Sequence, residues 1–564
     1  METAAAAISV ARYLVSRIEG LGIRVVPVLQ GGVIMKMIDE VGESSVLRYI
    51  VPNHEQALAM MVDAYARLNG YGVGFATSGP GAVNLATGIA CAYYDSVPCM
   101  FITGQVGMFH VKGDRGVRQR GFQETDVVSV LGPITKYSVL LDKAEDARYI
   151  FEKAVHISKS GRPGPVVIDL PYNVQRTLVV PEQLRRYTPP TEKTHLQDVK
   201  VQAKLILDKI KKAKKPLLLV GGGVRVAGNA DDAYVFAERS GLPVVTTWTS
   251  ADVFPREFPH YMGNVGQSGN FAAVNALQDC DLLVCLGTRF TPKVIISEKN
   301  FAKNAEIIAV DIDRSELEQA IIEPHVKMVA DLRDLLPALI ESIGNSPLVS
   351  AQWCNELIKL KAATPFVPEL SDKTGKYVNP FGFAEQLFQA MKFDGVVFAD
   401  AGANLTWIMQ GFKLKRGQRL ISAWGNSPMG YAFPAAIGAW LAEPDRQIVC
   451  TIGDGGFQMN IQELQTMVGN KVDIKVFILN NRCYGNIKMG ARREFNSRVH
   501  GNDASSGYTA PDFGKVARAY GIATETIDAE TDVALKLSRI LATKGAVIVD
   551  VNIDPAQEHV ELKI

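Results

Sequence analysis

The stretch Ile452-Gly453-Asp454-Gly455-Gly456 follows the apolar run 447–452, and Ile478-Leu479-Asn480-Asn481 closes the next such run, 475–479. Both motifs fall at the C-terminal ends of β-rich segments. An open α/β sheet binds ligands there, because its loops converge on helix N-termini whose free N–H groups favour phosphate. Gly455 and Gly456 allow close backbone approach, while Asp454 and Asn481 offer hard oxygen ligands that suit Mg²⁺ rather than Zn²⁺. Either piece alone is an ordinary turn. Together they read as a site for a metal-bound diphosphate.

Outward from this pair, apolar runs alternate with helical patterns along nearly the whole chain. Candidate strands are 25–28, 72–76, 99–104 and 165–169, then 217–220 and 282–286, then 395–398, 447–452, 475–479 and 546–551. This alternation predicts the α/β class with parallel sheets covered on both faces. A chain of 564 residues is too long for one core. Polar, proline-bearing passages at 180–197 and 365–380 divide it into three doubly wound parallel-sheet domains, 1–180, 195–345 and 370–564, of which the first and third are candidates for related folds. The opening residues, to about 20, suit an amphipathic helix better than a signal peptide.

Lys plus Arg number 60 against 59 Asp plus Glu, so no global field draws the chain to nucleic acid or anionic membrane. The lysines at 211–215 then read as a solvated helix end. No apolar run is long enough to span a bilayer. Seven scattered cysteines without a CxxC pair suit reduced core thiols and a cytoplasmic setting.

Glu55, in Pro52-Asn53-His54-Glu55-Gln56, follows the strand-like 45–51 at a helix start. Asn53 is a candidate cap there, and an acidic first turn is favourable without any catalysis. About twenty residues on, Ala76-Thr77-Ser78-Gly79-Pro80-Gly81 makes a glycine-rich strand-to-helix turn. With the Gly-Asp-Gly and Asn-Asn pair, the chain resembles the thiamine-diphosphate enzymes. The resemblance implies that Glu55 hydrogen-bonds the cofactor's aminopyrimidine and so promotes deprotonation of its thiazolium carbon. It also implies that Asp454, Asn481 and the Cys483 carbonyl hold Mg²⁺, and that Ser78, Gly79, Asn404, Gly453, Gly455, Gly456 and Gly485 contact the cofactor.

The resemblance sharpens to the acetohydroxyacid synthase-like branch through Gly31-Gly32, Phe122-Gln123-Glu124, Gly161-Arg162-Pro163-Gly164-Pro165 and Ser427-Pro428-Met429-Gly430. It implies a pyrimidine-binding first domain, a central FAD-binding-like domain and a diphosphate-binding third. Gly32, Phe122 and Gln123 would join Glu55 in the catalytic pocket. Met429 would bend the cofactor, and the Ser427 carbonyl would accept from its amino group, an orientation effect. The first domain of one subunit would face the third of another, making a homodimer the minimum unit and a homotetramer the alternative.

In the middle domain, Gly221-Gly222-Gly223 and Gly287-Thr288-Arg289 end two strands, without the Gly-x-Gly-x-x-Gly spacing of nicotinamide binders. By resemblance they would bind FAD together with Thr246, Thr247, Val294, Asp311, Ile312 and Asp331. The run Phe290-Thr291-Pro292-Lys293-Val294 departs from the family pattern, which has acidic residues and arginine there.

The shared motifs leave the acceptor open. Acetohydroxyacid synthases carry a tryptophan five residues after the glycine that follows Asn-Asn; here Gly485 leads to Gly490. Arg492, Arg493, Arg498 and His500, with Lys112, Arg115, Arg118 and Arg120, are candidates to clamp a diphosphate. The continuation Gly507-Tyr508-Thr509-Ala510-Pro511-Asp512-Phe513 is similar to carboligases of cell-surface polysaccharide pathways, among them that of yersiniose formation. The expected substrates are pyruvate and a nucleotide-linked keto-deoxysugar. Acetolactate formation and flavin-linked pyruvate oxidation are the alternatives.

Overall fold

The computed structural model describes residues 6–190, 196–344, 347–364, 375–560 and 562. Three sheets of parallel strands flanked by helices follow one another along the chain. In the first, Arg48–Ile50 pairs with Val25–Pro27, a bridge from Val28 to Phe75 leads to Gly72–Ala76, and Cys99–Gln105, Val166–Pro171 and Tyr137–Leu140 complete the order. Numbered within the domain, that order is 2-1-3-4-6-5. The third sheet runs Arg419–Ile421, Val396–Ala399, Ile448–Gly453, Lys475–Asn480, Val547–Asn552, Ala523–Ile527, which is again 2-1-3-4-6-5. The first and third units share one topology, with the strand order reversing between strands 1 and 3.

The middle sheet differs. Tyr261–Asn264, Val244–Thr246, Pro216–Val220, Leu282–Leu286, Glu306–Asp311 and Val326–Val329 stand in that order, which is 3-2-1-4-5-6, the dinucleotide-binding arrangement. Its reversal lies between Pro216–Val220 and Leu282–Leu286, the two strands that run into the glycine turns at 221 and 287. Alternate residues of Pro216–Val220 feed two different cores: Leu218 and Val220 one, Leu217 and Leu219 the other. That is why the strand reads as a continuous apolar run.

A single core joins the first and third domains. Helix Glu55–Asn69 packs along helix Ala432–Ala442 through Ala57, Met60, Met61 and Ala64 against Ala432, Ala435, Ala436 and Ala439. Gly438 makes the crossing close, since a methyl there would overlap the Met61 carbonyl. Below it, partly buried Arg67 bridges Asp63 at 2.9 Å and Asp95 at 2.7 Å, Asp63 takes the Tyr431 hydroxyl, and Asp95 accepts from Trp424 and Gly425 N–H at 2.9 and 2.8 Å.

The opening segment is not one helix. Ile8–Ser9 is a short strand antiparallel to Leu178–Val179, and the helix runs only over Val10–Glu19, because Ser9 Oγ caps it through Arg12 N–H at 3.1 Å. Residues 1–5 lie outside the described residues. So do 191–195 of the expected 180–197 linker and 365–374 of the expected 365–380 passage. The described part of the former packs back on the first domain, where Tyr187 N–H donates to Glu152 at 3.0 Å. Among the described residues no helix is long and apolar enough to cross a membrane.

Candidate functional site

In the third sheet three strand ends converge at the switch point. Gly453 leads directly into helix Asp454–Met459, and Asp454 is buried with Gly455 and Gly456. One corner of the Asn481 carboxamide lies 2.9 Å from the Cys483 carbonyl oxygen and 3.2 Å from Asp454 Oδ1. As NH₂ it donates to both; as the carbonyl oxygen it completes three oxygens that only a cation would hold together. Among the described residues no group of three His, Cys, Asp or Glu side chains is placed to hold a metal, so a cation here would take one carboxylate, one amide and one carbonyl. That mixed oxygen set fits Mg²⁺. Burial pushes the Asp454 carboxyl up to about 6 despite the Tyr508 hydroxyl that donates to it, and a bound cation would draw it down again.

Neighbouring groups fix this corner. Asp400, at the end of strand Val396–Ala399, accepts from Gly430 and Ala432 N–H at 2.9 and 3.0 Å, which holds the Ser427–Gly430 turn over the diphosphate motif. Ser427 sits in the left-handed region, φ 49°, and the Met429 methyl lies 3.3 Å from where a Gly455 Cβ would be. Asn404 Nδ2 ties the Asp400 and Thr451 carbonyls at 3.0 Å each, while its Oδ1 is buried without a partner. A Cβ on Gly485 would stand 2.8 Å from the Asn481 amide.

The first sheet gathers a second cluster at its own switch point. Glu55, 7% exposed, opens helix Glu55–Asn69. The cap is His54, whose Nδ1 accepts from Gln56 N–H at 3.0 Å, and not Asn53. Asn53 instead turns to the third domain and donates to Gln462 O and Thr466 Oγ1. Glu55 Oε2 accepts from Asn84 Nδ2 at 3.0 Å, and Oε1 lies 3.2 Å from where a Gly81 Cβ would be. Gly79 has φ 57° and ψ −119°, a conformation that only glycine adopts readily, and a Cβ there would sit 2.6 Å from the Gln123 carbonyl. Gly31 abuts Thr77, whereas nothing lies within 4 Å of a Cβ on Gly32. Ser78 Oγ is buried and unpartnered. Glu55, the 77–81 turn and Gln123 are thus brought together within one domain, and Phe122 beside them is 86% exposed.

Glu124 organises the loop before it. Its carboxylate accepts from Arg120 N–H at 2.7 Å, Gly121 N–H at 3.2 Å and Lys112 N–H. Burial works against its charge, but these donors outweigh it and hold the pKa below the ordinary value. Sequence alone assigns no role in the site to Asp400, Asn84, Tyr508 or Glu463, whose carboxylate accepts the Asn53 N–H. Only Asp400 had a readable signal, an aspartate just past an apolar strand, as Asp454 is.

Between the domains lies a cavity of about 590 Å³, lined by Gly222, Gly223, Thr247, Gly287, Arg289, Val294, Asp311, Ile312 and Asp331 among others. Three residues expected with them stand behind the wall. Gly221 is pressed against the Gly287 carbonyl, Thr246 Oγ1 bonds Asn264 and Tyr261, and Thr288 Oγ1 points to Leu286 O at 3.5 Å. Burial lifts Asp311 to about 6, although the Asp313 N–H opposes it. Lys293 reaches Gln267 Oε1 at 3.0 Å. Arg162 of the first domain and Arg289 meet on Glu316 at 2.5 and 3.0 Å, closing one side of the cavity.

Of the cations expected near an acceptor, Arg492 pairs with Glu558 at 3.1 Å, Arg498 bonds Phe495 O, and Arg115 bonds Val111 and Lys112 O. Nothing lies within 4 Å of a Cβ placed on Gly490.

The third sheet thus presents an oxygen-rich corner with close-approach glycines at its switch point, and the first sheet a buried carboxylate at the matching point. The chain belongs to the thiamine pyrophosphate enzyme family: its N-terminal TPP binding domain matches residues 8–130, its central domain 203–339 and its C-terminal TPP binding domain 400–551. It is a thiamine-diphosphate-dependent enzyme. Within the family it is similar to a probable acetolactate synthase large subunit of Methanocaldococcus jannaschii, 33% identical over 97% of this chain and 92% of that one. It is also similar to the acetolactate synthase isozyme 1 large subunit of Escherichia coli, 33% identical over 98% and 94%, and to the chloroplastic acetolactate synthase 1 of Nicotiana tabacum, 33% identical over 97% and 82%.

Proposed function

We propose that this enzyme decarboxylates pyruvate and joins the remaining two-carbon acetyl unit to the carbonyl of a second substrate, a nucleotide-linked keto-deoxysugar. Thiamine diphosphate, when bound, would supply an acidic carbon whose conjugate base is the nucleophile toward the keto acid, and an electron sink for the pair left by loss of CO₂. Glu55 holds the proton shared with the pyrimidine nitrogen, in the near-dry setting that its burial provides. Met429 and the Ser427 carbonyl orient the pyrimidine, and Asp454, Asn481 and the Cys483 carbonyl hold Mg²⁺ against the diphosphate. Gly32, Phe122 and Gln123 border the space over Glu55. FAD would occupy the cavity between the domains, which the middle domain's glycine turns line.

The working unit is at least a homodimer in which Glu55 of one copy faces Asp454 of another. Exposed apolar side chains beside both halves support this: Phe122 and Val83 near Glu55, and Met459 and Ile487 near Asp454. The seven free, buried cysteines support a reducing, cytoplasmic setting.

The observation that carries the choice of acceptor is Gly490, which brings no side chain and has nothing within 4 Å of a Cβ placed on it; the lack of bulk there favours a substrate larger than pyruvate. The names of the relatives favour a second reading, acetolactate formation from two pyruvates. Incubation with pyruvate alone and then with a CDP-linked keto-deoxysugar separates the two. A branched sugar formed in preference to acetolactate supports the proposal; abundant acetolactate with no branched sugar overturns it.

A further inference from the structure

The segment after helix Gly485–Glu494 folds back onto the Asn481 turn. Cys483 bridges antiparallel to Asp503, Tyr484 N–H donates to Asn502 O at 2.8 Å, and Lys488 Nζ reaches Asp503 Oδ2 at 2.9 Å. Asp503 also caps the turn Ala504–Ser506, and its carbonyl accepts from Tyr508 N–H at 2.9 Å. These contacts aim Tyr508 inward. Its ring lies 4.4 Å from that of Tyr484, which itself fills the space beside Gly455. Its hydroxyl donates to Asp454 Oδ2 at 2.8 Å in a buried setting.

We infer that Tyr508 is a positioning residue for the divalent cation. Its hydroxyl engages one oxygen of Asp454, which leaves Oδ1 directed at Asn481 and the Cys483 carbonyl. A carboxylate anchored on one oxygen cannot rotate away from the ligand set, and loss of such an outer partner weakens metal binding even though the ligands remain. Because Tyr508 hangs from Asp503, which is fastened to both Cys483 and Lys488, the anchor and the ligand turn form one unit. The inference rests on the reading of Asp454, Asn481 and the Cys483 carbonyl as the cation's ligands.

The test is Mn²⁺ affinity, read by electron paramagnetic resonance at saturating thiamine diphosphate, for the wild type, Tyr508→Phe and Asp454→Ala. Phenylalanine keeps the ring against Tyr484 and removes only the donor. The thermal midpoint of the cation-free protein should therefore fall only by the loss of one hydrogen bond, with the unfolding transition still cooperative. The expected result is a dissociation constant raised about tenfold or more in Tyr508→Phe, with binding lost in Asp454→Ala. An unchanged constant in Tyr508→Phe with binding lost in Asp454→Ala overturns the positioning role and leaves the ligand set standing. Retained binding in Asp454→Ala refutes the ligand set, and the inference with it.

Discussion

Glu463 of the third domain accepts the Asn53 backbone N–H on both carboxylate oxygens, at 3.1 and 3.2 Å, two residues before Glu55. The contact fixes the entry to the helix that carries Glu55. Fully buried Glu463 is also braced by Thr466 Oγ1 at 2.6 Å. Glu463→Ala should lower kcat about tenfold or more through misplacement of Glu55, with the dissociation constant for thiamine diphosphate unchanged. A parallel loss of cofactor affinity, or full activity, would refute this role.

Gly438→Ala places a methyl on the Met61 carbonyl at the crossing of helices Glu55–Asn69 and Ala432–Ala442. Overpacking at a close crossing costs about 1–3 kcal/mol, so the thermal midpoint should fall. An unchanged midpoint would show that the two helices can move apart freely.

If FAD fills the middle cavity, the purified protein is yellow. Gly223→Val drives a branched side chain toward Gly287, 2.7 Å from its Cα already at the Cβ position, and should give colourless protein whose thiamine diphosphate affinity is retained. A colourless wild type would remove the flavin from the account.

Asp169 is buried between Thr103 Oγ1 and Gln105 Nε2, at 2.6 and 2.8 Å. Burial pushes its carboxyl up to about 7, against both hydrogen bonds. The folded chain therefore binds this proton more tightly than the unfolded chain. Its stabilising contribution is complete below the ordinary carboxyl range, near pH 4, and is lost as pH rises through about 7. Asp169→Asn should flatten the decline of the unfolding midpoint between about pH 4 and pH 7. Parallel curves for variant and wild type would sink the assignment.

How much of this was legible in the sequence depended on burial. Central strands such as Leu282–Leu286 and Lys475–Asn480 are covered on both faces and read as plain apolar runs. Edge strands did not show: Ala523–Ile527 and Tyr137–Leu140 are only partly buried along their lengths, and Arg419–Ile421 is three residues long. The motifs at Asp454, Asn481 and Glu55 were visible because glycines and acids stand just past strands. The groups that hold them were not. Glu463 lies 410 positions from Asn53, and Tyr508 lies 54 from Asp454, so neither has a local pattern to betray it. His54 displaced Asn53 as helix cap because Asn53 found partners in another domain, which no local propensity encodes.

The most direct test of the central claim is release of CO₂ from carboxyl-labelled pyruvate by wild type and Glu55→Gln, each with and without thiamine diphosphate and Mg²⁺. The account predicts release by the wild type only with both cofactors. It predicts a fall of about 10²-fold or more in Glu55→Gln, with that variant still binding thiamine diphosphate and Mg²⁺ through the Asp454 corner. Undiminished release by Glu55→Gln, or release by the wild type without thiamine diphosphate, would contradict it.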